Sequence, residues 1–347
     1  MADMLKRERV LSAVKRKPVD KVPCSFRAEQ STLKRIYHHV GHEDFDRLLD
    51  DLNVDIRFID SIAPPETNMG AYYQNYWGER YTYRDSEWGQ RREDIPGALE
   101  NAKTMQDFKN FDWPSIDIFD YSPLPSLCEK YGSCALIYGF GDVFTRAGNV
   151  RGFENFMFDI ADNPEFIDYM IKQFADFYID DYTHAQKICD GRIDIYLIMG
   201  DLASQLSPLL SPDTFIELVG PHLSRLCARI HELGAYAFYH SCGAASPFYD
   251  GLIKCGVDII DPIQRATNDM NPENLKKNFG SRVCFHGGID VQTTLPNGTT
   301  DDVRAEVRRY LSVFDKSGGG YICCPSHYVQ EDTPPENILA LYDEIIR

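Results

Sequence analysis

Eight short runs rich in Val, Ile, Tyr and Cys recur along the chain, most of them separated by longer stretches of helical periodicity. They are KVPCSF (21–26), VDIRFID (54–60), CALIYG (134–139), IDIYLIMG (193–200), AYAFYH (235–240), VDIIDP (257–262), RVCFHGG (282–288) and GGYICC (319–324). Helical patterns fall at 164–190, 212–233, 246–255, 272–279 and 300–317, with a closing one at 335–346. Strand alternating with helix implies a parallel sheet, because parallel neighbours need a crossover connection. Eight such units favour a closed (β/α)8 TIM barrel over an open, doubly wound sheet. The open sheet also tends to carry a glycine-rich phosphate loop, and the chain has neither G-x-G-x-x-G nor a Walker loop. The expected strands end near 26, 60, 139, 200, 240, 261, 287 and 323.

The segment 61–133 is long, aromatic and charged (YYQNYWGERYTYRDSEWGQRRED), and too long for a simple loop. It reads as an insertion after strand 2, with some strand hairpins, flanking the barrel mouth. The expectation is a single α/β domain over 1–347. The chain has 43% hydrophobic and 26% charged residues and a net charge of −17. Such an acidic balance argues against binding nucleic acid or an anionic membrane surface, since both need basic patches. No apolar run approaches the roughly 20 residues needed to span a bilayer. The N-terminus reads as an amphipathic helix with Leu5, Val10, Leu11 and Val14 on one side, and it lacks an apolar signal core. A cytoplasmic protein with most of its ten cysteines reduced is expected.

In a TIM barrel the active site lies at the C-terminal ends of the strands. At the end of strand 5 the chain places His240 and Cys242, two residues apart. In extended backbone such residues point to the same side. An imidazole and a thiolate aimed at one point suit Zn²⁺. A third donor follows strand 8, where His327 is favoured and Cys324 held in reserve. Cys323 and Cys324 are adjacent, so at most one faces the lumen, and Cys323 is assigned to the helix-facing side. Asp201 at the strand 4 mouth is the candidate fourth ligand or proton carrier. Arg27, Gln264, Asp290 and Gln292 are candidates for orienting substrate. Asp60 and Asp142 read as structural caps.

The stretches GDLASQLSPLLSPDTF, YHSCG, LIKCGVDIIDPIQ, FHGGIDVQTTLPNGT and SGGGYICCPSHYVQEDTPPENILALYDEI resemble the uroporphyrinogen decarboxylase superfamily. The resemblance is strong over roughly 190–347 and limited to layout before that. It implies a (β/α)8 barrel and one of two chemistries. The decarboxylases need no metal and carry Arg-Gln-Ala-Gly-Arg after the first strand; here CSFRAEQST keeps only Arg27. The second branch, cobamide-dependent zinc methyltransferases including O-demethylase components, carries His-x-Cys after strand 5, matched by His240-Ser241-Cys242. In its coenzyme M enzymes the third ligand is a Cys in the strand 8 loop. Aligned on Pro325, that position falls on His327.

The resemblance therefore implies a zinc-dependent methyltransferase. It would move a methyl group between a small donor or thiol and a cobalamin carried by a separate corrinoid protein. The alternative is a metal-free decarboxylase. A catalytically silent ligand-binding barrel is disfavoured, since such a barrel has no need of His and Cys converging at its mouth.

Overall fold

A computed structural model describes residues 3–346 apart from 87, 88, 266, 268 and 316. After β1 (Ile56–Ile59) the chain builds a separate antiparallel sheet of β2 (Thr67–Asn68), β3 (Tyr73–Gln74), β4 (Arg80–Ser86) and β5 (Gly89–Ile95). The parallel sheet resumes with β6 (Ala135–Asp142), β7 (Ile195–Met199) and β8 (Tyr236–His240). It ends with β9 (Ile259–Asp261), β10 (Cys284–His286) and β11 (Tyr321–Ile322). Its order is β1-β6-β7-β8-β9-β10-β11, parallel throughout.

The expected first strand is not a regular strand. Segment 21–26 closes the ring between β11 and β1 through a single parallel bridge, Cys24 to Cys323. The Ser25 amide donates to the Cys323 carbonyl at 3.3 Å, and the Cys323 amide to the Pro23 carbonyl at 2.8 Å. On the other side the Asp55 amide donates to the Cys24 carbonyl at 3.0 Å. Pro23 has no N–H to give, which cuts the ladder to a bridge. The architecture is a TIM barrel in which seven strands carry the ladder and an irregular segment fills the eighth position.

Side-chain alternation along these strands sorts the residues. Ile56, Ile137, Leu197, Phe238, Ile259, Cys284 and Ile322 face the lumen and form one apolar cluster. Helix α1 (Lys6–Val14) adds Val10 and Val14 to that cluster and so plugs the N-terminal end of the barrel. Leu5 and Leu11 do not join them; Leu5 is 61% exposed. Residues of the opposite parity, such as Tyr138, Tyr196, Tyr239, Phe285, Tyr321 and Cys323, enter the larger core between sheet and helices. In β6 a bulge between Tyr138 and Gly141 shifts the register by one residue. Gly139 sits there at φ +83°, where a Cβ would meet the Tyr182 ring at 2.9 Å. The bulge turns Phe140 toward the lumen cluster.

The antiparallel sheet is pinned to the barrel by Trp77, whose ring lies 4.8 Å from Phe174 and 4.5 Å from Phe177 of the helix Pro164–Ile188. Arg146 adds a partly buried ion pair to Glu79 at 3.2 Å. Among the described residues, no helix is long and apolar enough to cross a membrane.

The ring seam rests on Asp55, which is fully buried. Its Oδ2 accepts the Cys24 amide at 2.9 Å, and its Oδ1 accepts Nη1 of Arg9 from α1. Arg9 is also held by Asp20 at 2.7 Å, so one carboxylate ties plug, first segment and β1 together. Asp55→Ala leaves the guanidinium and the Cys24 amide short of a partner. The expected loss is about 3–5 kcal/mol in urea unfolding. A loss under about 1 kcal/mol would show that the seam does not depend on this carboxylate.

Candidate metal centre

The lumen-facing alternation that builds the apolar cluster continues one step toward the mouth. Two residues beyond Phe238, Ile259, Cys284 and Ile322 stand His240, Asp261, His286 and Cys324, all buried. Chain alternation therefore places a polar layer directly on an apolar one.

His240 ends β8, and Cys242 follows on the same side with Sγ 3.4 Å from His240 Nε2. His327 enters from the loop after β11, and its ring centroid lies 5.9 Å from that of His240. One ligand atom from each of His240, Cys242 and His327 falls within 4.8 Å of the other two. Two of the donors, Cys242 and His327, line a cavity of about 470 Å³ at the mouth, together with Gln264, Gln292 and Gln330. Asp201 positions the cysteine: its Oδ1 accepts the Cys242 amide at 2.8 Å, while its own amide donates to Thr145 Oγ1 at 2.8 Å. Gly243 then turns the chain at φ +83°, where a Cβ would lie 2.3 Å from the Ser204 carbonyl oxygen. The Gly243 amide donates to Gln264 Oε1.

Behind the donors lies Asp261, with no solvent exposure. Its Oδ2 accepts from His240 Nδ1 and from Arg27 Nη2, the latter at 3.0 Å. Its Oδ1 accepts from His286 Nδ1 at 2.6 Å. Burial alone would raise the Asp261 pKa, but Arg27, His286 and His240 outweigh it and hold the carboxyl well below its usual range. Burial likewise opposes a charged His240, and the Asp261 carboxylate outweighs it, raising the His240 pKa. His286 is pushed the other way, by burial first and by Arg27 and His240 beside it. As a neutral ring it donates from Nδ1 to Asp261 and accepts the Ser25 hydroxyl on Nε2 at 3.0 Å. Burial and the neighbouring His240 also lower the His327 pKa, which keeps its imidazole neutral and able to ligate. With Nδ1 of His240 committed to Asp261, Nε2 is left facing the other two donors.

The structure brings His240, Cys242 and His327 together, and it leaves Cys324 out. Cys324 does face the lumen, but its Sγ lies 3.4 Å from His286 Nε2, in a fully buried position that raises its thiol pKa well above the usual value. Cys323 packs in the outer core. Gln264 and Gln292 line the donor cavity. Arg27 does not project freely into the mouth: it is paired with Asp261 and flanked by the rings of Phe58 and Tyr328, at 5.6 and 5.2 Å. Asp290 is turned onto its own loop, where Oδ1 accepts the Gln292 amide at 2.8 Å and Oδ2 the Thr293 hydroxyl. Its carboxylate is engaged in that turn. Asp142 caps the start of the helix Thr145–Arg151, accepting the Phe144 and Arg146 amides at 3.1 Å. The bonding role of Asp261 and the whole contribution of His286 are absent from the sequence reading. Period-two extension of the strands VDIID and RVCFH would have flagged both.

Asp261→Ala leaves Arg27 and His240 buried beside no counter-charge. The expected cost is about 3–5 kcal/mol. The wild-type carboxyl has a folded pKa below its unfolded value of about 3.9, so its stabilisation is present above that value. It is lost as pH falls through the lower folded value. Asp261→Asn should therefore flatten the acid-side decline of stability; parallel curves for the two proteins from pH 7 to pH 3 would contradict this account.

Two imidazoles and one cysteine sulfur converging beside an open cavity fit a divalent ion of the zinc type, with three protein ligands and one open position. Residues 126–347 match the family model described as uroporphyrinogen decarboxylase (URO-D). A methylcobamide:CoM methyltransferase of Methanosarcina barkeri is 26% identical over 159 residues, covering 46% of this chain and 43% of that protein. A uroporphyrinogen decarboxylase of Bordetella petrii is 30% identical over 97 residues, covering 28% of this chain and 25% of that one. The chain thus aligns with less than half the length of either relative. The solved structure of a methyltransferase from Methanosarcina mazei shares the fold, with a TM-score of 0.74, 17% identity and 99% of each chain covered. With the match extending over most of its length, the chain belongs to the uroporphyrinogen decarboxylase family.

Proposed function

We propose that this chain is a zinc-dependent methyltransferase that moves a methyl group between a small methyl donor or thiol and a cobalamin carried by a separate corrinoid protein. The convergence of His240, Cys242 and His327 at the edge of an open mouth cavity carries this reading. The methyltransferase names of the Methanosarcina relatives support it. His240 through Nε2, Cys242 through Sγ and His327 through a ring nitrogen would hold the metal. When bound, zinc supplies a Lewis acid that polarises an ether oxygen or stabilises a thiolate.

The chain's own residues do the rest. Asp261 fixes the tautomer and orientation of His240 through Nδ1. Asp201 fixes the backbone of Cys242, and so the direction of its sulfur; this gives the expected catalytic aspartate a positioning role. Gln264 and Gln292 offer amide groups to a molecule in the cavity. The metal-free decarboxylase alternative needs Arg27 to hold substrate carboxylates. The pairing of Arg27 with Asp261 argues against that use.

The purified protein should hold one zinc per chain. Cys242→Ala and His327→Ala should each weaken zinc binding at least tenfold. Cys324→Ala should keep full zinc and lose only packing energy, on the order of 1 kcal/mol. Loss of zinc from the Cys324 variant but not from the His327 variant would reverse the ligand assignment. Since the metal-free His240 pKa is raised, zinc must displace a proton from Nε2. Zinc added to metal-free protein in weak buffer at pH 7 should acidify the solution, and affinity should rise with pH. Free cob(I)alamin mixed with methyl ethers, methylamines, methanol and methyl thiols should show the methylcobalamin spectrum with at least one donor. Stoichiometric zinc with no turnover of any donor or thiol would defeat the methyltransferase reading.

A further inference from the structure

The mouth cavity offers free hydrogen-bonding groups and no cation. Gln264, Gln292, Gln330 and Asp332 line it beside Cys242 and His327, and among the described residues no Lys or Arg does. The side chains of Gln292, Gln330 and Asp332 have no hydrogen-bond or ion-pair partner among the described residues. All three are exposed, so they stand open to a molecule entering the mouth.

Charge at this mouth is therefore negative. Asp332 stands free on the rim, and the Asp201 carboxylate sits behind Cys242, whose amide it accepts at 2.8 Å. Arg27 and Arg265 follow the first barrel segment and β9, and both are answered elsewhere. Arg27 is paired with Asp261 at 3.0 Å and Arg265 with Glu306 at 3.6 Å. A cavity of about 470 Å³ is on the order of 10 Å across, comparable with the Debye length at cellular salt, so a carboxylate on its rim acts on a tail anywhere inside. Metal ligation takes cysteine and substrate thiol alike as thiolates. Cys242 and a substrate thiolate would together cancel a divalent charge, leaving no net cation to hold an anionic tail. With an ether one positive charge remains, but at the metal end and not at the tail.

We infer, on the basis of the function proposed above, that this cavity selects its substrate by charge. It takes a small thiol or methyl ether whose tail is uncharged and hydrogen-bonding, and it excludes one whose tail is an anion. The amide groups of Gln292 and Gln330 would meet the tail, and each can both donate and accept. An alcohol or amide tail answers both roles. A sulfonate or carboxylate only accepts, and it meets the Asp332 carboxylate as well. Asp332 is the specificity-determining residue, acting by repelling the wrong molecule rather than by gripping the right one. A cleft lined by one sign of charge makes this exclusion strongest at low salt.

Matched probes that differ only in the tail test this. 2-Mercaptoethanol and 2-mercaptoethanesulfonate are titrated calorimetrically into the zinc-loaded protein without corrinoid, and so are 2-methoxyethanol and 2-methoxyethanesulfonate. In at least one pair the neutral member should bind saturably and about tenfold or more tightly than its sulfonate, a ratio that falls as salt rises. Asp332→Asn should shrink that ratio about threefold, and Asp332→Lys should shrink it further. Asp332 is exposed, so neither replacement disturbs the core. Gln292→Leu and Gln330→Leu should each weaken the neutral probe about threefold or more with zinc content unchanged. Equal affinity within each pair, tighter binding of a sulfonate, or a ratio that neither Asp332 variant moves overturns the inference. Methyl transfer between cobalamin and the sulfonates but not the neutral probes overturns it while leaving the methyltransferase reading in place. Binding of none of the four also overturns it. If another donor is then still turned over, the methyltransferase reading stands; if none is, that reading falls with it.

Discussion

A carboxylate with no solvent exposure lies at the middle of the barrel lumen, and the site is arranged around it. Asp261 has lost its hydration, which costs several kcal/mol for an ion in a protein interior. Three charge-assisted hydrogen bonds, from Arg27, His240 and His286, each contribute about 1.5–3 kcal/mol in return. The balance holds only with all three in place, so the carboxylate dictates their geometry. It turns Nε2 of His240 outward to Cys242 and His327. It draws Arg27 down from the mouth, and it leaves His286 a neutral link to Ser25. The same bonds explain why two histidines a few ångströms apart titrate in opposite directions. His240 shares its charge with Asp261, whereas His286 lies deeper beside Arg27 and cannot afford a second cation.

This arrangement depends on a stiff container. Parallel strands with period-two alternation stack an apolar layer beneath a polar one, and helix α1 seals the bottom with Val10 and Val14. The ring is weakest where Pro23 removes a ladder donor, and there Asp55 substitutes a side-chain acceptor for missing backbone bonds. At the mouth the turns are made by backbone that tolerates no side chain, as at Gly243 against the Ser204 carbonyl. The donor atoms are thus held by strand ends and short, tightly packed turns. Positions so constrained suit chemistry that needs its ligand atoms fixed before a metal or substrate arrives.

The aromatic lining that β6 gives the lumen has a local cause. In β8 to β11 the alternation runs undisturbed into His, Asp, His and Cys. In β6 the bulge at Gly139 skips one residue and delivers Phe140 to the lumen in its place. One inserted residue therefore changes the chemistry of that wall.

Alternation, helix periodicity and strand count lie in the sequence because they follow from local geometry. Seven of the eight strand units, the main helices from 164 onward and the shared direction of His240 and Cys242 were legible from spacing alone, as was the outward side of Cys323 by parity, whereas the helices Gln30–Val40, Phe45–Asp51, Thr145–Arg151 and Phe153–Asp162 were not. The sequence could not say which donor after strand 8 comes within reach. Cys324 and His327 both fit by type. Their placement depends on how the loop after β11 crosses the mouth and on His286 already occupying the space beside Cys324. Nor could it show that Asp290 spends its carboxylate on its own turn, or that Arg27 is drawn inward by a residue 234 positions away. Segment 21–26 has strand composition, but its pairing depends on neighbours from opposite ends of the chain and on one missing proline N–H. Residue types and periods are properties of neighbouring positions. Distances between side chains on different strands exist only once the barrel has closed, and the buried charge of Asp261 decides them.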